Sequence, residues 1–134
     1  MKKHILIIDD EESIRLVLAN VLTTKAYRVS QASDALQAMD QVKSDPPDLI
    51  ISDLQLEESD GLKLVEEIRG LLPKVPILLL TGIAFDTEVV RKTISKKVSA
   101  YLQKTVSLQR ILQEVRRLLG EPEPEPAPPR SKAT

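Results

Sequence analysis

Apolar residues alternate along the chain between two patterns. Short apolar-rich runs occur at His4–Ile8, Arg28–Ala32, Leu49–Ser52, 75–80 and 100–102. Between them the spacing is helical: Ile14, Val17, Leu18, Val21 and Leu22 recur at i, i+3, i+4, i+7 and i+8, one face of an α-helix. Leu36 with Met39, then Leu62, Val65, Ile68, Leu71 and Leu72, then Leu108, Ile111, Leu112, Val115, Leu118 and Leu119, repeat the pattern. Asp34 and Ser107 stand where N-caps are expected and Gly120 where a helix-ending C′ residue is expected. Thr87 starts a further helical stretch whose apolar face, Val89, Val90 and Ile94, is thin.

Five strands, each followed by a helix, predict a parallel sheet covered on both faces. The runs at 5–8, 49–51 and 77–80 are continuously apolar, as strands buried on both sides must be. Arg28–Ala32 mixes polar and apolar residues, which places it nearer an edge. Right-handed crossovers of this length make an α/β, doubly wound domain with helices on both faces. His4 reads as an edge or strand-start residue without a function.

Composition narrows the class. The chain has 134 residues, 42% hydrophobic and 29% charged, with net charge −1, enough for one domain. Aromatics are 2%, so Leu, Ile and Val build the core. There is no Cys and one His, which excludes disulfides, thiolate catalysis, Cys-ligated zinc and most His-based catalysis. No apolar run approaches the roughly 18–20 residues of a membrane span, no secretory leader is recognisable, and no basic footprint marks direct nucleic-acid binding. The expectation is a cytoplasmic protein with no membrane contact.

Residues 121–134 hold five of the nine prolines and no large apolar side chain. They are expected to form a disordered, Pro/Glu-rich tail or linker after a domain spanning 1–120. Removing their three Glu, one Arg and one Lys leaves 17 basic and 17 acidic residues. Function must therefore lie in how charge is placed.

Ligands of open α/β sheets bind beyond the carboxyl ends of the strands. Asp9 and Asp10 follow the first run, Asp53 the third, Thr81 the fourth and Lys104 the fifth. Two carboxylates about 4 Å apart repel by roughly 4 kcal/mol at an effective dielectric of 20. Three in one cleft must therefore raise a pKa or recruit cations. Lys104 offsets one charge, and oxygen-only ligands favour Mg²⁺ for the rest. Such a cleft suits phosphoryl transfer onto a carboxylate.

These residues resemble the receiver domain of two-component response regulators over residues 3 to about 119. The likeness rests on the apolar strand ending in Asp9-Asp10-Glu11 and on Asp53-Leu-Gln-Leu-Glu-Glu-Ser-Asp60-Gly61. Pro76-Ile-Leu-Leu-Leu-Thr81-Gly82 and Ala100-Tyr101-Leu102-Gln103-Lys104 complete it. The resemblance implies the flavodoxin-like strand order 2-1-3-4-5 and a signalling receiver rather than a metabolic enzyme. It would accept a phosphoryl group on Asp53 from a sensor histidine kinase or phosphotransfer protein and pass the signal to a downstream protein or an output domain.

Asp10 and Asp53 would ligate Mg²⁺ directly, with the carbonyl of Gln55 as a third ligand and Asp9 acting through water. Lys104 would pair with the phosphoryl oxygens; Thr81 and Tyr101 would form the switch, changing an interaction surface on the fourth helix, fifth strand and fifth helix. Glu11, Glu57 and Glu58 read as solvated charges.

Three departures stand out: Thr105 replaces the usual Pro and predicts a trans Lys104–Thr105 bond with an altered approach for the amine, Glu57 replaces another Pro, and Lys97 a Gly. Ile83 and Gln55 stand where the family tunes phosphoryl lifetime, and by that resemblance an apolar Ile83 suggests slow self-hydrolysis. The competing reading is a constitutive protein-binding module that keeps the fold without phosphorylation. A phosphatase or nucleotide-binding enzyme is disfavoured, because no Gly-rich loop follows the first strand.

Overall fold

A computed structural model describes residues 2–53, 55–56, 59–81 and 98–121. Its central sheet has five parallel strands, β1 (His4–Ile8), β2 (Arg28–Ala32), β3 (Leu49–Ser52), β6 (Ile77–Thr81) and β7 (Ala100–Gln103). Their order is β2-β1-β3-β6-β7, the 2-1-3-4-5 arrangement of a doubly wound fold. Between β3 and the next helix a two-stranded antiparallel ladder, β4 (Gln55–Leu56) and β5 (Ser59–Asp60), stands apart from the main sheet. It is an addition to the predicted five strands.

Side chains alternate across the sheet, which explains the continuous apolar runs. Ile5, Ile7, Leu49, Ile51, Leu78 and Leu80 project to one face and pack with Leu18 and Leu22 of α1 (Glu12–Thr24) and Ile111 and Val115 of α4 (Leu108–Leu118). Leu6, Ile8, Ile50, Ile77 and Leu79 project to the other, with Ala38 and Val42 of α2 (Ala35–Ser44) and Leu64, Val65 and Ile68 of α3 (Gly61–Leu71). β2 lies at the sheet edge and is the mixed-polarity strand, as expected.

Helix ends carry the anticipated chemistry. Asp34 accepts a hydrogen bond from the Gln37 N–H at 2.8 Å, and Ser107 one from Arg110 at 3.2 Å; each satisfies an otherwise orphaned amide. Gly120 follows α4 at φ +72°, the left-handed conformation glycine adopts without strain. Beyond α3, the Arg69 guanidinium donates to the carbonyls of Pro73 and Val75 at 3.1 and 2.5 Å.

Two expectations shift and a third holds. The fourth run becomes strand at Ile77 rather than at Val75: Pro76 has no N–H to donate, although its carbonyl accepts from Ile50 at 3.0 Å. His4 does start β1, but β1 is a central strand and not an edge. The imidazole is buried, with Nε2 2.7 Å from Ser30 Oγ. The Lys104–Thr105 bond is trans, as Thr105 predicted. The helix expected from Thr87, along with Glu57, Glu58, Gly82, Ile83, Lys97 and residues 122–134, lies outside the described residues. Among the described residues no helix is long and apolar enough to cross a membrane.

Ile50 is fully buried at the sheet centre. Ile50→Ala is expected to cost about 2–5 kcal/mol through lost transfer energy and a residual cavity, measured by urea denaturation. Tyr27 is also buried and donates its phenol hydrogen to Glu121 Oε1 at 2.5 Å. Burial, reinforced by the Glu121 hydrogen bond and charge, pushes the phenol up to about 12. This contribution to stability is complete below the ordinary value of 10.0 and is lost as pH rises toward about 12. Tyr27→Phe should abolish that loss, read as the urea midpoint between pH 9 and pH 11.

Candidate functional site: an acidic cluster held by one lysine

The strand register builds the site. Ile8 pairs with Ala32 on one side and Ser52 on the other. One residue further, the Asp9 N–H donates to the Ala32 carbonyl at 3.1 Å and the Asp53 N–H to the Ile8 carbonyl at 3.0 Å. The ladder thus continues through both acids and sets their side chains beside each other at the carboxyl edge. Asp10 completes the group: Asp9, Asp10 and Asp53 each offer a carboxylate oxygen, all within 4.8 Å of one another.

Asp9 and Asp53 are only 2% and 5% exposed, so their charge must be answered from within the protein. Lys104, arriving just beyond β7, answers it. Its Nζ stands 3.0 Å from Asp9 Oδ2, 3.0 Å from Asp53 Oδ2 and 2.7 Å from Glu11 Oε1. Burial pulls this ammonium down, but hydrogen bonds to Glu11, Asp9 and Asp53 outweigh it and leave the pKa above the usual lysine value. The amine therefore reaches Asp53 across a trans peptide.

Its approach passes a cavity of about 280 Å³ lined by residues such as Ile14, Leu18, Leu80 and Ile111, an apolar wall that suits the lysine stem.

Asp9 uses both oxygens. Oδ1 accepts from the Glu11 N–H at 2.9 Å while Oδ2 meets Lys104, and the Arg15 guanidinium donates to its backbone carbonyl at 2.6 Å. Burial raises the Asp9 pKa against the lowering effects of the Glu11 amide and Lys104. Glu11 is solvated as expected, its side chain 56% exposed, but it is also bonded to the amine. Its position immediately after the acidic pair was the available sequence signal. Glu11 also precedes α1 as N-cap without a side-chain cap bond, so its carboxylate is free to reach Lys104.

Other expected site residues divide by what is described. Thr81 ends β6 in register with Gln103, which brings its backbone to the same sheet edge; its side chain lies outside the described residues. Gln55 opens β4 opposite Asp60. Tyr101 lies on β7 in register with Leu79 and is 36% exposed.

A doubly wound parallel sheet with acids after its first and third strands and a lysine after its last defines a receiver-type site. The response regulator receiver domain profile matches residues 5–116, and the chain belongs to that family, which serves two-component signalling. It is 32% identical over 134 residues to the response regulator MprA of Mycobacterium tuberculosis, covering 95% of this chain and 55% of MprA; the chain thus spans about half the length of the curated relatives it matches.

A CheY-like receiver domain protein from Methanospirillum hungatei superposes with TM-score 0.83 at 25% identity, over 90% of this chain and 95% of that one. NtrX from Brucella abortus, crystallised with ADP, superposes with TM-score 0.81 at 27% identity, over 90% of this chain and 27% of that one.

Lys104→Met removes the ammonium that touches both Asp9 and Asp53. Breaking a buried ion pair by removing one partner costs about 3–5 kcal/mol. The loss should be greatest at neutral pH and shrink as pH falls, since protonation discharges Asp9: burial raises its folded pKa, and such a carboxyl gains stability on acidification. Urea midpoints at pH 7 and pH 5 check this; an equal loss at both contradicts it.

Proposed function

We propose that Asp53 is the phosphoacceptor of a Mg²⁺-dependent signalling receiver. The observation that carries this is the Asp53 carboxylate held 3.0 Å from the Lys104 amine, within the oxygen cluster of Asp9 and Asp10. One Asp53 oxygen attacks the phosphorus of a kinase or phosphotransfer-protein phosphohistidine. The new P–O bond forms as the P–N bond breaks, the nitrogen keeps the electron pair, and the departing imidazole takes a proton from solvent. Lys104 then neutralises phosphoryl oxygens, and little further covalent work is required of the protein.

The donor set fits Mg²⁺: every candidate ligand is an oxygen, and the acids outnumber the amine. Asp10 and Asp53 would hold the ion with the Gln55 carbonyl, which supplies charge neutralisation for the incoming phosphoryl group. Asp9, with its two oxygens engaged by Glu11 and Lys104, acts through water.

Phosphorylation replaces one carboxylate charge by about 1.5 to 2 negative charges at pH 7. Thr81 answers the new oxygens and Tyr101 follows, biasing the surface that includes β7 and α4 toward a downstream protein or an output domain joined through residues 121–134.

Incubation with Mg²⁺ and acetyl phosphate should add the mass of one phosphoryl group. Asp53→Asn should abolish the gain, and chelation of the ion should suppress it. An unmodified wild-type protein with intact fold would instead favour a constitutive binding module.

A further inference from the structure

We propose that Glu11 is a displaceable clasp that positions Lys104 before phosphorylation and yields it to the phosphoryl group; this rests on Asp53 being the phosphoacceptor. An ammonium has three N–H donors and no acceptor. Lys104 has three carboxylate partners, Asp9, Asp53 and Glu11, at 3.0, 3.0 and 2.7 Å. Its donors are therefore committed, and an incoming phosphoryl oxygen gains one only if a partner lets go.

The three partners are not equivalent. Asp9 is buried, and its other oxygen is tied to the Glu11 amide. Asp53 is buried and is the acceptor itself. Glu11 makes the shortest contact, but its side chain is 56% exposed, so water can replace the amine at little cost. Release of Asp9 would strand a buried charge, whereas release of Glu11 returns a carboxylate to solvent. Glu11 thus holds the amine over the cleft while Asp53 is unmodified and is the partner that leaves.

The test compares Glu11→Gln with Glu11→Asp. Glutamine removes the charge; aspartate keeps it on a side chain shorter by one carbon–carbon bond, about 1.5 Å, which withdraws it from Nζ. Both should raise the rate of Asp53 phosphorylation by acetyl phosphate at saturating Mg²⁺, by about two- to fivefold, the range of an ion pair with one exposed member. A rise with Gln but not Asp means Glu11 acts only through its field and overturns the clasp, as does no rise with either.

In a Lys104→Met background, Glu11→Gln should change nothing; an undiminished effect there also overturns it. In unphosphorylated, metal-free protein carrying ¹⁵N-lysine, Glu11→Gln should move the Lys104 Nζ resonance, and an unmoved resonance refutes the pairing. If wild-type protein takes no phosphoryl group, the phosphoacceptor reading fails and the clasp with it. A phosphorylated wild type with unaccelerated variants sinks the clasp alone.

Discussion

Nearly everything at the functional edge depends on one ammonium opposing carboxylates that the fold has removed from water. Asp9 and Asp53 come from the ends of β1 and β3, and Lys104 from beyond β7, with β6 lying between β3 and β7. The contact is therefore possible only when four parallel strands hold a common register. A slip of one residue would turn each side chain to the opposite face of the sheet, misfitting both packed faces and carrying the acids out of line with their cation. Packing and electrostatics thus select the same register.

The two faces of the sheet make that register stiff. Ile5 and Ile7 are held against α1 and α4, while Leu6 and Ile8 are held against α2 and α3. A strand buried on both sides has no polar face on which to slide, and interiors at crystal-like density resist small displacements. The acids one residue beyond this packed run inherit its rigidity. This is a way to hold like charges together: the cost of their proximity is met by a core too well packed to let them separate.

Much of this could be read along the chain, because it is local. The continuous run at 5–8 says that both faces are covered, and Asp34, Ser107 and Gly120 mark helix ends through hydrogen bonds or backbone preferences within a few residues. The acids and the lysine could be assigned to one edge because strand ends in a parallel sheet share a side. Glu11 could not be assigned in the same way.

Its partner lies 93 residues away, and an exposed glutamate at the start of a helix has several outlets: the helix amides, water, or a distant cation. Only the position of the lysine amine chooses among them. The same reason hid the setting of His4, since a residue at the start of a strand carries no local mark of whether strands flank it on both sides. The β4–β5 ladder pairs two residues with two, too few for an alternating pattern to declare itself.

Opposite ends of the sheet use charge differently, and the contrast explains why chemistry belongs to one of them. At the amino end, the His4 amide donates to Asp48 Oδ2 at 2.7 Å, and Arg28 forms a two-point ion pair with Asp45. Each of these acids meets a donor on a neighbouring segment, so these contacts close locally. At the carboxyl end one lysine serves Asp9, Glu11 and Asp53, with Asp10 alongside. Residues 1–120 balance their formal charges, so the surplus of acid there is a matter of placement rather than composition. A locally balanced end has little to gain from a further ion. An end with more carboxylates than cations has negative charge left to answer, which is the property the proposed phosphorylation switch requires.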